Sequence, residues 1–203
     1  MSVKVFSCLL TGLEGQLIEV EADILQGLPA FNIVGLADIS VKESKERIRS
    51  AIKNSRVNYP MQKKVINLAP ASLRKHGPSF DLPIAISLLL ASGQLSLNCT
   101  EKALFVGELA LNGDLRPISG AINLAIFAKQ NEWEELFLPE ENCAEASLVK
   151  DLKIIPIRNL NQLIQHLNRV ERIEPYQRKI SLIDKNIFTS NCQLYNSIIG
   201  QQQ

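Results

Sequence analysis

The sequence contains few of the residues that build metal centres and disulfide frameworks. Among 203 residues it has only two histidines, His76 and His166, which excludes most zinc sites and other metal sites that depend on histidine. Its four cysteines stand far apart and form no C-x-x-C pair, so no disulfide framework is predicted. We therefore expect a protein without a bound metal, in a reducing compartment.

Long hydrophobic segments are absent as well. The longest apolar stretch, residues 82–92, is too short to cross a bilayer. The hydrophobic patch at residues 5–10 is not followed by a small-residue cleavage site, so no secretory signal is predicted. With 46% hydrophobic and 21% charged residues, the composition is that of a globular chain. We expect a cytoplasmic protein with no membrane partner.

The glycine-rich motifs that cradle phosphates are also missing. Neither G-x-x-x-x-G-K-[S/T] nor G-x-G-x-x-G occurs in the sequence. Such motifs supply the backbone N–H groups that hold nucleotide phosphates. We therefore predict that this chain alone neither hydrolyses ATP nor binds a dinucleotide in the usual way, and that it carries no cofactor.

The charged residues are unevenly distributed, although the net charge is only +1. Residues 41–75 contain ten lysines and arginines but only two glutamates, whereas residues 1–40 are acidic. A basic segment of this kind can form a footprint for nucleic acid or phosphate, although a solvated face is the more common case. A solvated surface would have the same composition.

Residues 40–54 are predicted to form an amphipathic helix that carries part of this basic charge. Ser40 and Glu43 have the spacing of a capping box at its start, and an apolar face is expected to pack on a sheet. Basic residues recur every three or four positions, which places them together on another face. These candidate DNA-binding residues are Lys42, Lys45, Arg49 and Lys53.

The rest of the pattern predicts a mixture of strands and helices. Predicted hairpins lie at residues 4–23 and around Asn112-Gly113, the second from strands at 104–111 and 114–117. Other strands are predicted at 28–34, 64–68, 135–138 and 153–157. Other helices are predicted at 81–91, 121–130, 140–149 and 159–167. This order of elements predicts an α/β or α+β sandwich with a mixed sheet.

The segment from His76 to Asp81 contains a histidine, a serine and a carboxylate within one turn. Members of a catalytic triad converge from separate elements, and three residues crowded on one turn rarely reach that geometry. We predict instead that Ser79 or Asp81 caps the following helix by accepting a hydrogen bond from a free backbone N–H.

Several sequence blocks resemble the ComM/YifB proteins, which are magnesium-chelatase-like ATPases of the AAA+ class. The blocks lie at residues 11–14, 27–36, 41–44, 66–71, 80–85, 105–109 and 113–117. They extend over approximately residues 3–167, and their number and shared order make the resemblance specific.

The N-terminal domain of that family resembles the Lon protease domain, so we expect an α+β fold of the ribosomal-protein-S-five second-domain type. Residues 77–79 are similar to the serine segment of Lon, and residues 107–120 to the segment before its catalytic lysine. In this alignment Ile122 occupies the position of the lysine. An alkyl side chain cannot take the proton of a serine, so the resemblance implies that Ser79 is a relic or a structural residue.

In full-length members of the family, the Lon-like domain precedes an AAA+ module that uses ATP and Mg and forms a homo-oligomeric ring. ComM is associated with DNA branch migration in natural transformation. The resemblance implies a Lon-like domain at residues 1–168 and, at residues 169–203, a linker toward an AAA+ module that this sequence lacks. We predict a non-catalytic accessory domain that contacts DNA or other subunits. The alternatives are a Lon-type serine peptidase that uses Ser79, and a truncated fragment without an independent function.

Overall fold

The computed structural model describes residues 2–96 and 101–178. The strands are β1 (Val3–Thr11), β2 (Glu14–Leu25), β3 (Ala30–Val34), β4 (Lys63–Ala69), β5 (Ala103–Phe105), β6 (Glu108–Leu109), β7 (Leu115–Arg116), β8 (Glu135–Pro139) and β9 (Lys153–Ile157). The helices are α1 (Ile39–Asn54), α2 (Asp81–Ala91), α3 (Ala121–Gln130), α4 (Cys143–Ala146) and α5 (Leu160–Leu167).

Seven of these strands form one mixed sheet, in the order β3-β4-β2-β1-β5-β8-β9, and β6 pairs with β7 in a separate ribbon. In the large sheet β1 and β2 run antiparallel, as do β2 and β4. The other neighbouring pairs run parallel. A mixed sheet with helices packed against it confirms the predicted α+β class.

The predicted hairpin of β1 and β2 is confirmed, and it lies at the centre of the large sheet. Its register runs from Val3 opposite Ala22 to Thr11 opposite Glu14. In the short turn Gly12 has a φ of +64°, which glycine adopts without strain. Since successive side chains of a strand point to opposite faces, β1 contributes to the apolar packing on both sides of the sheet.

Helices cover both faces of the sheet. On one face α1, α2 and α5 bury their apolar sides in the larger of two hydrophobic clusters. Helix α2 is the most deeply placed, because every residue from Asp81 to Leu90 is buried. On the other face α3 and α4 pack over β1, β5 and β8 through the smaller cluster.

Helix α1 begins one residue earlier than predicted, and the predicted cap is wrong. Asp38 is the N-cap, since its Oδ1 accepts a hydrogen bond from the N–H of Val41 at 2.9 Å. The hydroxyl of Ser40 donates to the same oxygen at 2.7 Å and accepts from the N–H of Gly77 at 3.0 Å. Ser40 therefore ties the start of α1 to the loop before Ser79 instead of capping the helix.

The strand predicted at residues 104–111 is divided between β5 and β6. The chain leaves the large sheet because the backbone of Gly107 pairs elsewhere: its N–H donates to the carbonyl of Ser79, and its carbonyl accepts from the N–H of Leu82. The predicted hairpin around Asn112-Gly113 is confirmed, with the short strands β6 and β7.

The helix predicted at residues 140–149 is mostly replaced by shorter turns. A 3₁₀ turn at Glu140–Asn142 leads into the four-residue helix α4. Asn142 fixes this arrangement, because its side chain bonds both the N–H and the carbonyl of Ile118, at 2.9 and 2.8 Å. These bonds tie the 3₁₀ turn to the loop after β7.

Residues 169–178, the described part of the predicted linker, lie against the domain. Ile173 is buried, and its N–H donates to Nδ1 of His166 at 2.9 Å. The N–H of Tyr176 donates to the carbonyl of Ile154 at 2.8 Å. The domain boundary at residue 168 stays a prediction, and residues 179–203 lie outside the described residues.

None of the helices in the described part of the chain combines the length and the hydrophobicity needed to cross a bilayer.

Candidate nucleic-acid interface

The four candidate DNA-binding residues of α1 lie on one side of that helix. Lys42, Arg49 and Lys53 are exposed, and Lys45 is half-buried. Among the residues that the structure describes, no ion pair joins any of the four to a carboxylate. Within residues 2–96 and 101–178, their charge is therefore not neutralised by a direct ion-pair partner. We call these four residues the basic face of α1.

The opposite side of α1 anchors the helix in the larger hydrophobic cluster, against α2. Val41, Ile48, Ala51 and Ile52 are fully buried there, at the helical spacing that the sequence predicts. Burial of four such side chains contributes several kcal/mol to stability, at roughly 1.5–3 kcal/mol for a large aliphatic residue. The basic face is thus carried by a rigid element and not by a loop.

A recess of about 320 Å³ opens beside the basic face, between α1 and the edge of the sheet. Two aromatic rings line it: Phe31, which lies on β3 next to Lys64 of β4, and Tyr59, in the loop between α1 and β4. Lys45 Nζ lies 6.0 Å from the centroid of the Phe31 ring, and Arg49 Cζ lies 6.0 Å from that of Tyr59. We call this feature the aromatic recess.

The buried side chain of Lys64 also lines the recess. It is only 3% exposed, and its Nζ lies 4.7 Å from the centroid of the Tyr59 ring. The ammonium donates to the carbonyls of Pro60 and Gln62 at 2.8 and 2.7 Å, so it fixes the loop that carries Tyr59. Burial, together with the nearby charge of Arg49, lowers the pKa of Lys64.

Tyr59 remains a neutral phenol near neutral pH. Burial raises the pKa of its hydroxyl to about 12, although the charge of Arg49 opposes the rise. The side of the recess therefore presents an uncharged ring next to cationic groups. Glu46 is the carboxylate that contributes to the same lining.

Sequence reasoning identified Lys45 and Arg49 but missed the two aromatic residues. Phe31 lies inside a block quoted for the family resemblance, yet alternation in β3 only indicates that it faces the core. Tyr59 lies in a loop without periodicity, so no pattern connects it with α1. The basic segment does not form one patch either, because Lys75 is fully buried, with its Nζ donating to the carbonyl of Pro70.

Ser79 lies in a different place, in a cleft of about 330 Å³ between β1, the loop before α2 and the loop after β7. His76, Glu108 and Ser119 also line this cleft, together with apolar side chains. No lysine is among the described residues that line it. Ile122, at the predicted lysine position, lies at the start of α3, where its N–H donates to Oε1 of Glu145 at 3.1 Å.

The structure does not assemble a Ser-His-Asp triad from the segment 76–81. Asp81 is fully buried and its carboxylate accepts two bonds from Arg47, at 2.7 and 3.0 Å, and one from the N–H of Leu109 at 3.3 Å. The predicted cap is also wrong, since α2 has no side-chain cap from either Ser79 or Asp81. Asp81 instead joins α1, α2 and β6.

The comparisons with known proteins identify relatives of the whole domain. A family model described as subunit ChlI of Mg-chelatase matches residues 20–142. Competence protein ComM of Haemophilus influenzae is 39% identical over 198 residues, which cover 98% of this chain and 39% of that protein. The uncharacterized protein YifB of Escherichia coli is 47% identical over 142 residues, which cover 65% of this chain and 28% of that protein. The chain thus spans about two fifths or less of the length of these relatives.

A more distant similarity joins the chain to a protease. The Lon protease of Aster yellows witches'-broom phytoplasma is 28% identical over 166 residues, which cover 75% of this chain and 21% of that protein. This similarity agrees with the predicted Lon-like character of the fold. The high coverage by ComM, the match to the Mg-chelatase subunit model and the similarity to YifB lead to one conclusion: the chain belongs to the ComM/YifB family of magnesium-chelatase-like proteins.

Proposed function

We propose that this chain is a non-catalytic accessory domain of a ComM/YifB-like AAA+ protein and that it supports DNA processing by binding DNA phosphates. The observation that carries the proposal is the basic face of α1, four cations on a well-packed helix that have no carboxylate partner in the described part of the chain. Its position beside an open recess leaves room for a ligand.

The cations of the basic face would bind the phosphates of the nucleic-acid backbone. A cation that neutralises a phosphate releases a condensed counterion, so the logarithm of affinity falls linearly with the logarithm of salt concentration, by about 0.9 per contact on duplex DNA. A face of four cations therefore predicts a salt slope of about 3 to 4. The curated relative from Haemophilus influenzae is named a competence protein, which is consistent with a role in DNA processing such as branch migration during natural transformation.

We propose that the chemistry is carried out elsewhere in a larger protein. ATP and Mg would act in an AAA+ module outside this chain, and subunits of a homo-oligomeric ring would be its further partners, in the cytoplasm. In this arrangement the present domain supplies contacts and not chemistry.

A salt titration of DNA binding tests the proposal. Fluorescence anisotropy would measure the affinity of the 203-residue chain for a short labelled duplex at several salt concentrations. We expect Lys42→Gln with Lys53→Gln to weaken binding at low salt and to reduce the salt slope by about 2, one for each lost contact. Lys150→Gln, an exposed lysine outside the basic face, is the matched control and should change neither quantity. Binding that is absent, or that does not depend on salt, would refute the DNA part of the proposal.

A Lon-type serine peptidase remains the second candidate, because Ser79 lines an open cleft together with His76 and Glu108. Against it stands the composition of that lining, in which no described residue is a lysine that could accept the serine proton. A serine-directed fluorophosphonate distinguishes the two. We expect no labelling of Ser79, whereas labelling that disappears in Ser79→Ala would establish the peptidase.

A further inference from the structure

We propose that the aromatic recess binds an unpaired nucleobase, so that this domain binds single-stranded DNA more tightly than duplex DNA. The inference rests on the proposed function, because the phosphates held by the basic face bring the base to the recess. Phe31 and Tyr59 supply the ring surfaces, and Lys45 and Arg49 supply the adjoining charge.

The composition of the recess is that of a stacking site. Proteins that bind single strands combine cationic groups along the backbone path with aromatic rings on which bases stack. Here two rings and two accessible cations converge on about 320 Å³, which lies at the lower end of the volumes that hold small ligands. A single base with its sugar matches this size better than a longer segment does.

The rings are fixed in place before any ligand arrives. Phe31 extends from a strand whose backbone is paired with β4, and both rings pack in part against the larger hydrophobic cluster. Lys64 holds the Tyr59 loop through its two carbonyl contacts. Preorganised rings lose little conformational freedom on binding, which favours affinity.

The same geometry disfavours a duplex. Bases in a duplex are paired and stacked inside the helix, so their faces are not available to protein rings unless they are extruded at a cost of a few kcal/mol. The basic face alone would bind duplex and single strands through phosphates. The aromatic recess adds a contact that only an unpaired base can make.

The positions of the four cations give the path of the bound strand along α1. Lys42, Lys45, Arg49 and Lys53 span eleven residue steps of α1, or about 16 Å along the helix axis. Lys45 and Arg49 are the two that border the recess. A strand that runs along α1 would therefore place its central phosphates at these two residues and insert the base between them, while Lys42 and Lys53 contact the flanking phosphates.

The test compares a short oligodeoxythymidine with an abasic strand of the same length, which has the phosphates but no bases. We expect the wild-type chain to bind oligodeoxythymidine about tenfold more tightly or better, since each stacked base contributes about 1–3 kcal/mol. Tyr59→Leu removes one of the two rings and should lower that affinity toward the abasic level, while abasic binding stays unchanged. Tyr59→Phe keeps the ring and should retain the preference, and thermal unfolding of each variant would show that it is folded.

Photo-cross-linking gives a readout that needs no substitution. A strand with one 5-iododeoxyuridine should form an adduct within residues 29–61, with Tyr59 or Phe31 as the modified residue. Equal wild-type affinity for both strands, or an adduct elsewhere on the chain, would overturn the inference while the proposed phosphate binding stands. If neither strand nor duplex binds, the proposed function itself fails.

Discussion

Asp81 shows how one buried residue organises the region between the two candidate sites. Its carboxylate is fully buried at the start of α2, where Arg47 of α1 binds it through two nitrogens and Leu109 of β6 through the backbone. Burial raises the pKa of this carboxyl to about 6, although the hydrogen bonds and charge of Arg47 oppose the rise. The pair therefore holds three elements together at an energetic cost that depends on pH.

The pH dependence of stability should reveal that cost. An aspartate in the unfolded chain titrates near 4, so the native protein binds an additional proton between about pH 4 and pH 6. The free energy of unfolding contributed by Asp81 should accordingly fall as the pH rises through this window, by up to about 3 kcal/mol for two pKa units. Urea unfolding of wild type and Asp81→Asn at a series of pH values measures it.

The variant Asp81→Asn should show a flatter pH profile between pH 4 and pH 6 than the wild type. Asp151→Asn, in which an exposed aspartate is changed, provides the control and should follow the wild-type slope. Parallel profiles for wild type and Asp81→Asn would contradict the assignment.

Residue roles were only partly predictable from sequence. The spacing of Lys42, Lys45, Arg49 and Lys53 was sufficient to place them on one face, since helical periodicity is local. Tyr59 and Phe31 are brought together by the pairing of β3 with β4 and by the fold of a loop, both of which depend on contacts distant in sequence. The same holds for Asp81, whose partner Arg47 lies in another helix.

At the scale of elements, α1 connects the sheet to the candidate interface and begins at a specific cap. Asp38 accepts hydrogen bonds from the Val41 N–H and the Ser40 hydroxyl, and Ser40 in turn holds Gly77. Asp38 sits at the end of a short parallel bridge between Ala37 and Lys75. The start of the helix is therefore fixed by contacts on both of its sides.

Asp38→Ala should lower the free energy of unfolding by about 1 kcal/mol, which is typical for loss of an N-cap. Asp38→Asn preserves an acceptor oxygen and should cost less. Denaturant unfolding would rank the free energies of unfolding of the two variants, with Ser2→Ala at an exposed position as the control. If the Asp38→Ala variant is as stable as the wild type, the cap has been assigned to the wrong residue.

Elements with strong local patterns were predicted well, and those decided by tertiary bonds were not. The hairpin of β1 and β2, helix α2 and the turn at Asn112-Gly113 follow from apolar patterning and turn chemistry. The helix predicted at 140–149 is instead a 3₁₀ turn followed by the four-residue α4, and the side chain of Asn142 within it bonds Ile118, a contact between residues distant in sequence. The capping-box spacing of Ser40 and Glu43 was misleading because the hydroxyl of Ser40 instead donates to Asp38 and accepts from the N–H of Gly77.

At the scale of the whole molecule, two hydrophobic clusters on opposite faces of the sheet form the solvent-excluded core of the protein. Cys8 of β1 and Cys143 of α4 both lie in the smaller cluster. Burial raises the pKa of each thiol to about 12. Since the thiolate is the reactive form, both thiols should be inert in the native protein.

The reactivity of these cysteines should therefore report global unfolding. In a chain with Cys99→Ser and Cys192→Ser, a disulfide reagent such as Ellman's should label neither remaining thiol under native conditions. Both should react over the same range of denaturant concentration in which circular dichroism changes. Labelling of either thiol well before that transition would indicate that the face covered by α3 and α4 opens separately.

The central position of the β1–β2 hairpin has a consequence for synthesis on the ribosome. Among the described strands β1 and β2 are synthesised first, and the large sheet extends from both edges of their hairpin: β4 pairs with β2 and β3 with β4 on one side, while β5, β8 and β9 are added in chain order on the other. The nascent chain can therefore form this hairpin early and extend the sheet on the β5 side as each strand is synthesised, whereas β3 must wait for β4, which is made later. Each unfinished stage exposes a strand edge only until the next segment arrives, which shortens the time during which that edge is open to association with another nascent chain.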